Sequence, residues 1–172
     1  MQPLYRSGSW VVSLLLLAGC ASTNVTNRKI DVRGKIARPD RILVYDFAAS
    51  PADVPAEFRR PDESYQRSTP QTPQEIEAGR QLGAEVAKDL VAEIDAMGLP
   101  AVVASGQPGP RIGDILIRGD FLSIDEGSTA KRLVVGFGVG AAELKTRVEG
   151  YQMTAQGLRR LGSGEVDSGG SK

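Results

Sequence analysis

The chain has 172 residues, with 21 basic and 21 acidic side chains, no histidine and one cysteine. A formal charge of zero leaves nucleic-acid binding without electrostatic support. The missing histidine rules out Ser-His-Asp and Cys-His catalysis and removes the commonest transition-metal ligand.

The N-terminus reads as an export address. Arg6 supplies a positive charge ahead of the apolar run 10–18, which is too short to remain as a membrane-spanning helix. Ala18 and Gly19 are small, and Cys20 closes the run. This arrangement looks like a bacterial lipoprotein signal, with residues 1–19 removed and Cys20 acylated. The alternative is a free cysteine in an ordinary N-terminal strand. Several acyl chains anchor firmly, since each buried CH₂ is worth about 0.8 kcal/mol. In a two-membrane cell, Ala21 after the cysteine, rather than Asp, points to the periplasmic face of the outer membrane. Removing residues 1–19 leaves 153 residues, enough for one domain and a tether. No cysteine side chain then remains for a disulfide.

Residues 20–38 begin Ala-Ser-Thr-Asn after the cysteine and read as a lipidated polar tether. A single domain is expected over 39–162. Residues 41–48, between Pro39 and Pro51, form the first strand candidate. Residues 51–72 carry Pro51, Pro55, Pro61 and Pro70 and read as a long loop, either a solvated connector or a partner-binding segment.

A helix follows over about 73–97. Thr72 caps it, Pro73 fits its first position, and Glu75 completes a capping box. Ile76, Leu82 or Gly83, Val86, Leu90, Ile94 and Met97 form one stripe, and Gly98 with Pro100 supplies the stop. Residues 101–104 are a short strand. Residues 114–125 are a longer one, in which Gly119 marks a bulge. Residues 132–135 begin another strand. In 143–149, Leu144, Thr146 and Val148 alternate with Glu143, Lys145, Arg147 and Glu149, which predicts one covered and one wet face. The polar residues 163–172 read as a ragged tail and leave open a chain that stops before the fold's last strand.

The order strand, helix, strand and meander predicts a two-layer α/β (α+β) domain. Its sheet is mixed and largely antiparallel, packed by one main helix.

The segment Gly136-Phe137-Gly138-Val139-Gly140 lacks the dinucleotide fingerprint and any Walker lysine, so no cofactor is expected. Its glycines share one face, which suits backbone packed closely against the domain's own helix, another protomer or a partner. It is the candidate interaction segment.

Carboxylates are the remaining chemistry: Asp46, Asp114, Asp120, Asp125 and Glu126. A glycosidase needs two across a cleft, which sequence alone does not show. Asp120, Asp125 and Glu126 offer oxygen ligands for Ca²⁺ but lack the EF-hand spacing, and turn or surface roles account for them. Lys131 and Arg132 beside Glu126 read as a hairpin charge cluster. No catalytic or metal residue is assigned.

The strand around Val44-Tyr45-Asp46-Phe47, then Glu126-Gly127-Ser128, Arg132 and the glycine segment resemble a family of bacterial lipoproteins defined by a domain of unknown function, numbered 4410. The similarity spans about 31–157 and implies no catalytic residues. More distantly, the layout resembles periplasmic domains of outer-membrane assembly lipoproteins such as the curli secretion protein and penicillin-binding-protein activators. The expectation is a non-enzymatic envelope protein, held to the membrane by lipid on Cys20, that binds a protein partner or self-associates. The alternatives are a carboxylate-dependent cell-wall hydrolase and a carrier of a small apolar ligand.

Overall fold

The computed structural model describes residues 22–59, 71–124 and 144–169. It contains one mixed sheet of six strands: β1 (Ser22–Ile30), β2 (Ile42–Val44), β3 (Ala101–Val103), β4 (Ile115–Ile124), β5 (Leu144–Thr154) and β6 (Gly157–Gly169). Their order across the sheet is β1-β6-β5-β4-β2-β3. The first four of that order pair antiparallel, while β2 runs parallel to both β3 and β4. One helix, α1 (Pro73–Ala96), connects β2 to β3. The two-layer α+β expectation therefore holds.

The helix starts where its capping box predicts. The Thr72 hydroxyl accepts from the Glu75 N–H at 3.3 Å, and the Glu75 carboxylate accepts from the Thr72 N–H at 2.7 Å. Two orphan donors of the first turn are satisfied. Gly98, at φ 76°, takes the left-handed conformation that ends the helix.

The buried stripe of α1 differs from the expected one. It is Gly79, Gly83, Ala87 and Ile94. Leu90 and Val91 pack beside it, whereas Met97 is 68% exposed. Small residues win because the helix lies almost on the backbone of the chain leaving β2. A Cβ on Gly83 would stand 2.1 Å from the Phe47 carbonyl oxygen. The Phe47 N–H donates to the Gly83 carbonyl at 3.2 Å. On this face α1 covers Ile42, Val44, Ala101, Ile115 and Ile117.

The first strand is shorter than its apolar run. Pairing with β4 stops after Val44↔Ile117 and resumes as a single bridge, Ala48↔Asp120. Four residues on one side thus match three on the other, a bulge that leaves Asp46 exposed and turns Phe47 inward. Gly119 is not itself the bulge. Its missing side chain makes room for the Phe47 ring, which a Cβ would meet at 2.2 Å. The irregularity in β4 falls two residues later, between Phe121 and Ser123.

Residues 51–59, expected as part of a loop, fold over the other face. Pro51 and Pro55 introduce two short 3₁₀ turns, Pro51–Asp53 and Ala56–Phe58, at starting positions where a backbone N–H has no partner within the turn, so proline forfeits no bond there. Val54 and Phe58 are 1% and 2% exposed. They form a second core with Leu43, Ala48, Leu116 and Tyr151. Residues 60–70 lie outside the described residues.

Two segments expected as tether and tail are strands. β1 occupies much of 20–38, and β6 takes 163–169 out of the polar tail. They pair with each other from Ser22↔Gly169 to Ile30↔Gly162, around a bulge where Asn27 adopts φ 49°. A further irregularity places Leu161 of β6 outside the β5 ladder, between Gly150↔Gly162 and Tyr151↔Arg160. The Leu161 carbonyl instead accepts the Asp31 N–H at 2.9 Å, holding the chain as it leaves β1.

Candidate functional site

Cys20, Asp125, Glu126, Lys131, Arg132 and the segment Gly136 to Gly140 lie outside the described residues, as does the strand expected at 132–135. The connection carrying most of them leaves β4 at Ile124 and re-enters β5 at Leu144.

The other sequence candidates do not come together. Asp46 sits alone on the bulge, exposed. Asp114 is 4% exposed and committed to structure. Arg41 donates to its carboxylate through Nε at 3.1 Å and Nη2 at 2.5 Å, and the Arg111 N–H adds a bond at 2.8 Å. Arg41 also reaches the Gly109 carbonyl at 3.0 Å, so this pair pins the β3–β4 connection. Asp120 is buried at 4% exposure on β4, opposite Arg147 in the ladder.

The most concentrated charge is one the sequence reading placed on a wet face. Glu149 of β5 is 2% exposed, and so is Arg118, its register partner on β4. The Arg118 guanidinium donates to Glu149 through Nε at 2.8 Å and also through Nη2. The Tyr151 hydroxyl donates to the same carboxylate oxygen at 2.8 Å, and Arg160 Nη1 reaches the other at 3.2 Å. Arg160 then binds Asp31 at 2.5 Å. The chain of charges thus runs across β4, β5 and β6 to the residue just after β1.

Aromatic rings seal this cluster. Phe58 meets Tyr45 edge to face at 5.0 Å and the tilted Tyr151 ring at 5.1 Å, and the Arg118 guanidinium lies 5.6 Å from its ring centre. The expected wet face is covered here because Phe58 arrives from the segment 51–59.

Burial, the largest single influence, pushes the Glu149 carboxyl up, but the Arg118 charge and hydrogen bonds from Tyr151, Arg118 and Arg160 together outweigh it. The net effect holds Glu149 below the usual carboxylate range. Burial, then the hydrogen bond to Glu149, pushes the Tyr151 hydroxyl up to about 12. A carboxylate kept ionised between arginines is a poor general acid. Its work is to neutralise Arg118 inside the sheet.

The signal for this cluster was present in the sequence. Arg118-Gly119-Asp120 and Arg147-Val148-Glu149 carry charges in the same order, basic then acidic, on antiparallel strands. Arg118 then faces Glu149 and Asp120 faces Arg147, a complementarity visible once the two strands are paired.

Two surfaces stand out among the described residues. An open groove of about 620 Å³ lies at the C-terminal end of α1, lined by Arg38, Asp40, Asp95, Gly98, Leu99 and Pro100. Arg38 donates to the Gly98 carbonyl there, a cation placed at a helix C-terminus. The second surface is the outer edge of β1, which pairs only with β6 among the described strands. Its residues 24–30 are all exposed, and Val25 and Ile30 are more than half so, at 62% and 60%.

Among the described residues, no three His, Cys, Asp or Glu gather as metal ligands. No described helix is long and apolar enough to cross a membrane.

The fold and these surfaces define a two-layer α+β domain with an open sheet edge. Its sequence matches the family described as "Domain of unknown function (DUF4410)" over residues 42–169, and the chain belongs to that family. Comparison with curated proteins gave no match. Among solved structures, the chain is similar to a PelC dodecamer from Paraburkholderia phytofirmans, a variant with one leucine changed to methionine. Identity is 12% and the TM-score 0.44, covering 87% of this chain and 80% of that one. The likeness is remote.

Proposed function

We propose that this protein is a non-enzymatic envelope lipoprotein, anchored by acylated Cys20 at the periplasmic face of the outer membrane, that works by binding another protein or a second copy of itself. The observation that carries this reading is the outer edge of β1. Among the described residues its backbone donors and acceptors have no strand partner, and Val25 and Ile30 are exposed beside them, while the most buried charges are spent on internal pairing. The export signal supports the address: a charged start, a short apolar run, and small residues before the single cysteine.

The test places a photo-crosslinking residue at Asn24 or Thr26 on β1, and at Lys88 on the exposed side of α1, in cells making the full chain. A discrete adduct from the β1 positions alone, lost in a Cys20→Ala control that is not anchored, is the expected result. Monomer at every position, or equal adducts from Lys88, overturns edge-mediated assembly.

The groove at the end of α1 favours a second reading, since Asp40 and Asp95 both line it. A cell-wall hydrolase using these carboxylates would lose glycan cleavage in both Asp40→Asn and Asp95→Asn. Cleavage retained in both variants, or absent from the unaltered protein, removes that reading.

A further inference from the structure

The strand register brings four chain positions to one end of the sheet. Ser22 at the start of β1 pairs with Gly169 at the end of β6. The adjacent Ser168 pairs with Leu144 at the start of β5, and Leu144 pairs with Ile124 at the end of β4. Neighbouring strands are about 4.8 Å apart, so these four positions span a row of only about 15 Å.

Only Ala21 separates Cys20 from the first residue of β1. Two residues of fully extended chain reach about 7 Å at most. An acyl chain on Cys20 therefore cannot stand far from Ser22, because the polar residues that read as a tether are built into the sheet. The opposite end carries the β5–β6 turn at residues 155–156 and the C-terminus of α1. Along β5, that turn lies about 35 Å from Lys145, the residue next to Leu144 of that row.

We infer that the end of the sheet formed by Ser22, Ile124, Leu144 and Gly169 is a membrane-facing surface whose partner is the lipid bilayer. The β5–β6 turn and the groove at the end of α1 project away from it. This rests on the lipidation of Cys20 proposed above. It also brings both roots of the 125–143 connection, Ile124 and Leu144, to the bilayer side.

The test uses the full-length acylated protein reconstituted in phosphatidylethanolamine and phosphatidylglycerol vesicles containing headgroup spin-labelled lipid. An acylated Cys20 has no free thiol, so one introduced cysteine carries the only fluorophore. Lys145→Cys reports the near end and Gln156→Cys the far end, and both residues are exposed. Fluorescence at position 145 is expected to be quenched several-fold more than at 156. Inserting about 20 Gly/Ser residues after Ala21, with a root-mean-square reach of ~25 Å, should abolish that difference.

Equal quenching at the two sites, or stronger quenching at 156, overturns the orientation while leaving the anchor intact. A difference that survives the insertion overturns the argument that the short connection sets it. Mass spectrometry of the same preparation reads Cys20 directly, and an unacylated cysteine overturns the anchor and the orientation together.

Discussion

Replacing Glu149 by leucine isolates the role of the buried charge row. The substitution removes every acceptor that Arg118 Nε, the Tyr151 hydroxyl and Arg160 Nη1 now reach in Glu149. Arg160 keeps Asp31, but Arg118 stays 2% exposed beneath Phe58 without its carboxylate. Removing one partner of a buried ion pair costs about 3–5 kcal/mol. For a domain of this size that is a fall of roughly 10–15 °C in Tm. The double variant Arg118→Met with Glu149→Leu removes both charges and retains volume, and should return to within about 1–2 kcal/mol of the parent. Equilibrium urea unfolding followed by far-ultraviolet circular dichroism measures all three proteins. A single-variant loss below about 1 kcal/mol, or a double variant no better than the single, would refute the reasoning that Glu149 serves to neutralise Arg118.

The same pair makes the fold acid-sensitive. The folded-state pKa values of Glu149 and Asp53 are depressed, so their contribution is whole above the ordinary carboxylate range, at about pH 4. It is lost as pH falls through the folded values, so the urea midpoint should hold from neutrality to about pH 5 and drop below about pH 4. A flat midpoint down to pH 3 contradicts this, and the double variant should lose less with acid than the parent. Gly83→Ala gains up to about 1 kcal/mol of helix propensity but drives a Cβ into the Phe47 carbonyl, for an expected net loss of about 2 kcal/mol in thermal or urea unfolding. Gly119→Ala meets the Phe47 ring instead, so its cost should shrink when Phe47→Leu is added, while that of Gly83→Ala should not. Thr72→Ala removes the N-cap acceptor and should cost about 1 kcal/mol in the same assay.

How far the sequence spoke for the fold depended on whether one segment carried its own signal. The helix did, because Thr72, Pro73 and Glu75 specify its start and Gly98 its end. Its packing face did not, because large apolar residues dominate a periodicity argument while close approach to Phe47 selects Gly83 and Ala87. Prolines 51 and 55 read as breakers, and the two apolar side chains they position, Val54 and Phe58, are too few to make a pattern. β1 and the whole of β6 carried no strand signal because residues on both their faces keep access to solvent. With no face fully covered, period-two alternation has nothing to encode. The charge row needed two strands paired before its complementarity was visible. For the site, the four carboxylates beyond Asp114 were legible only as residue types. Burial and partners, which separate Asp114 from Asp46, come from contacts far apart in the chain.

The β1 edge also limits what can dock on it. Asn27 kinks the strand at φ 49°, and Arg28 and Lys29 follow with their charges. A bulge and basic side chains are the means by which edges discourage pairing, and here they blunt the half of β1 nearest the domain centre. The stretch left regular is Ser22 to Thr26, paired in unbroken register with Gly169 to Glu165 on its inner side. On the anchoring geometry proposed above, that stretch is also the half of the edge closest to the bilayer. A partner adding a strand there gains about five residues of ladder and has to approach within one short strand length of the membrane, about 17 Å. Such a surface selects for a partner that is itself held at the same membrane, because confinement to the plane raises its effective concentration where so short a ladder would otherwise bind weakly.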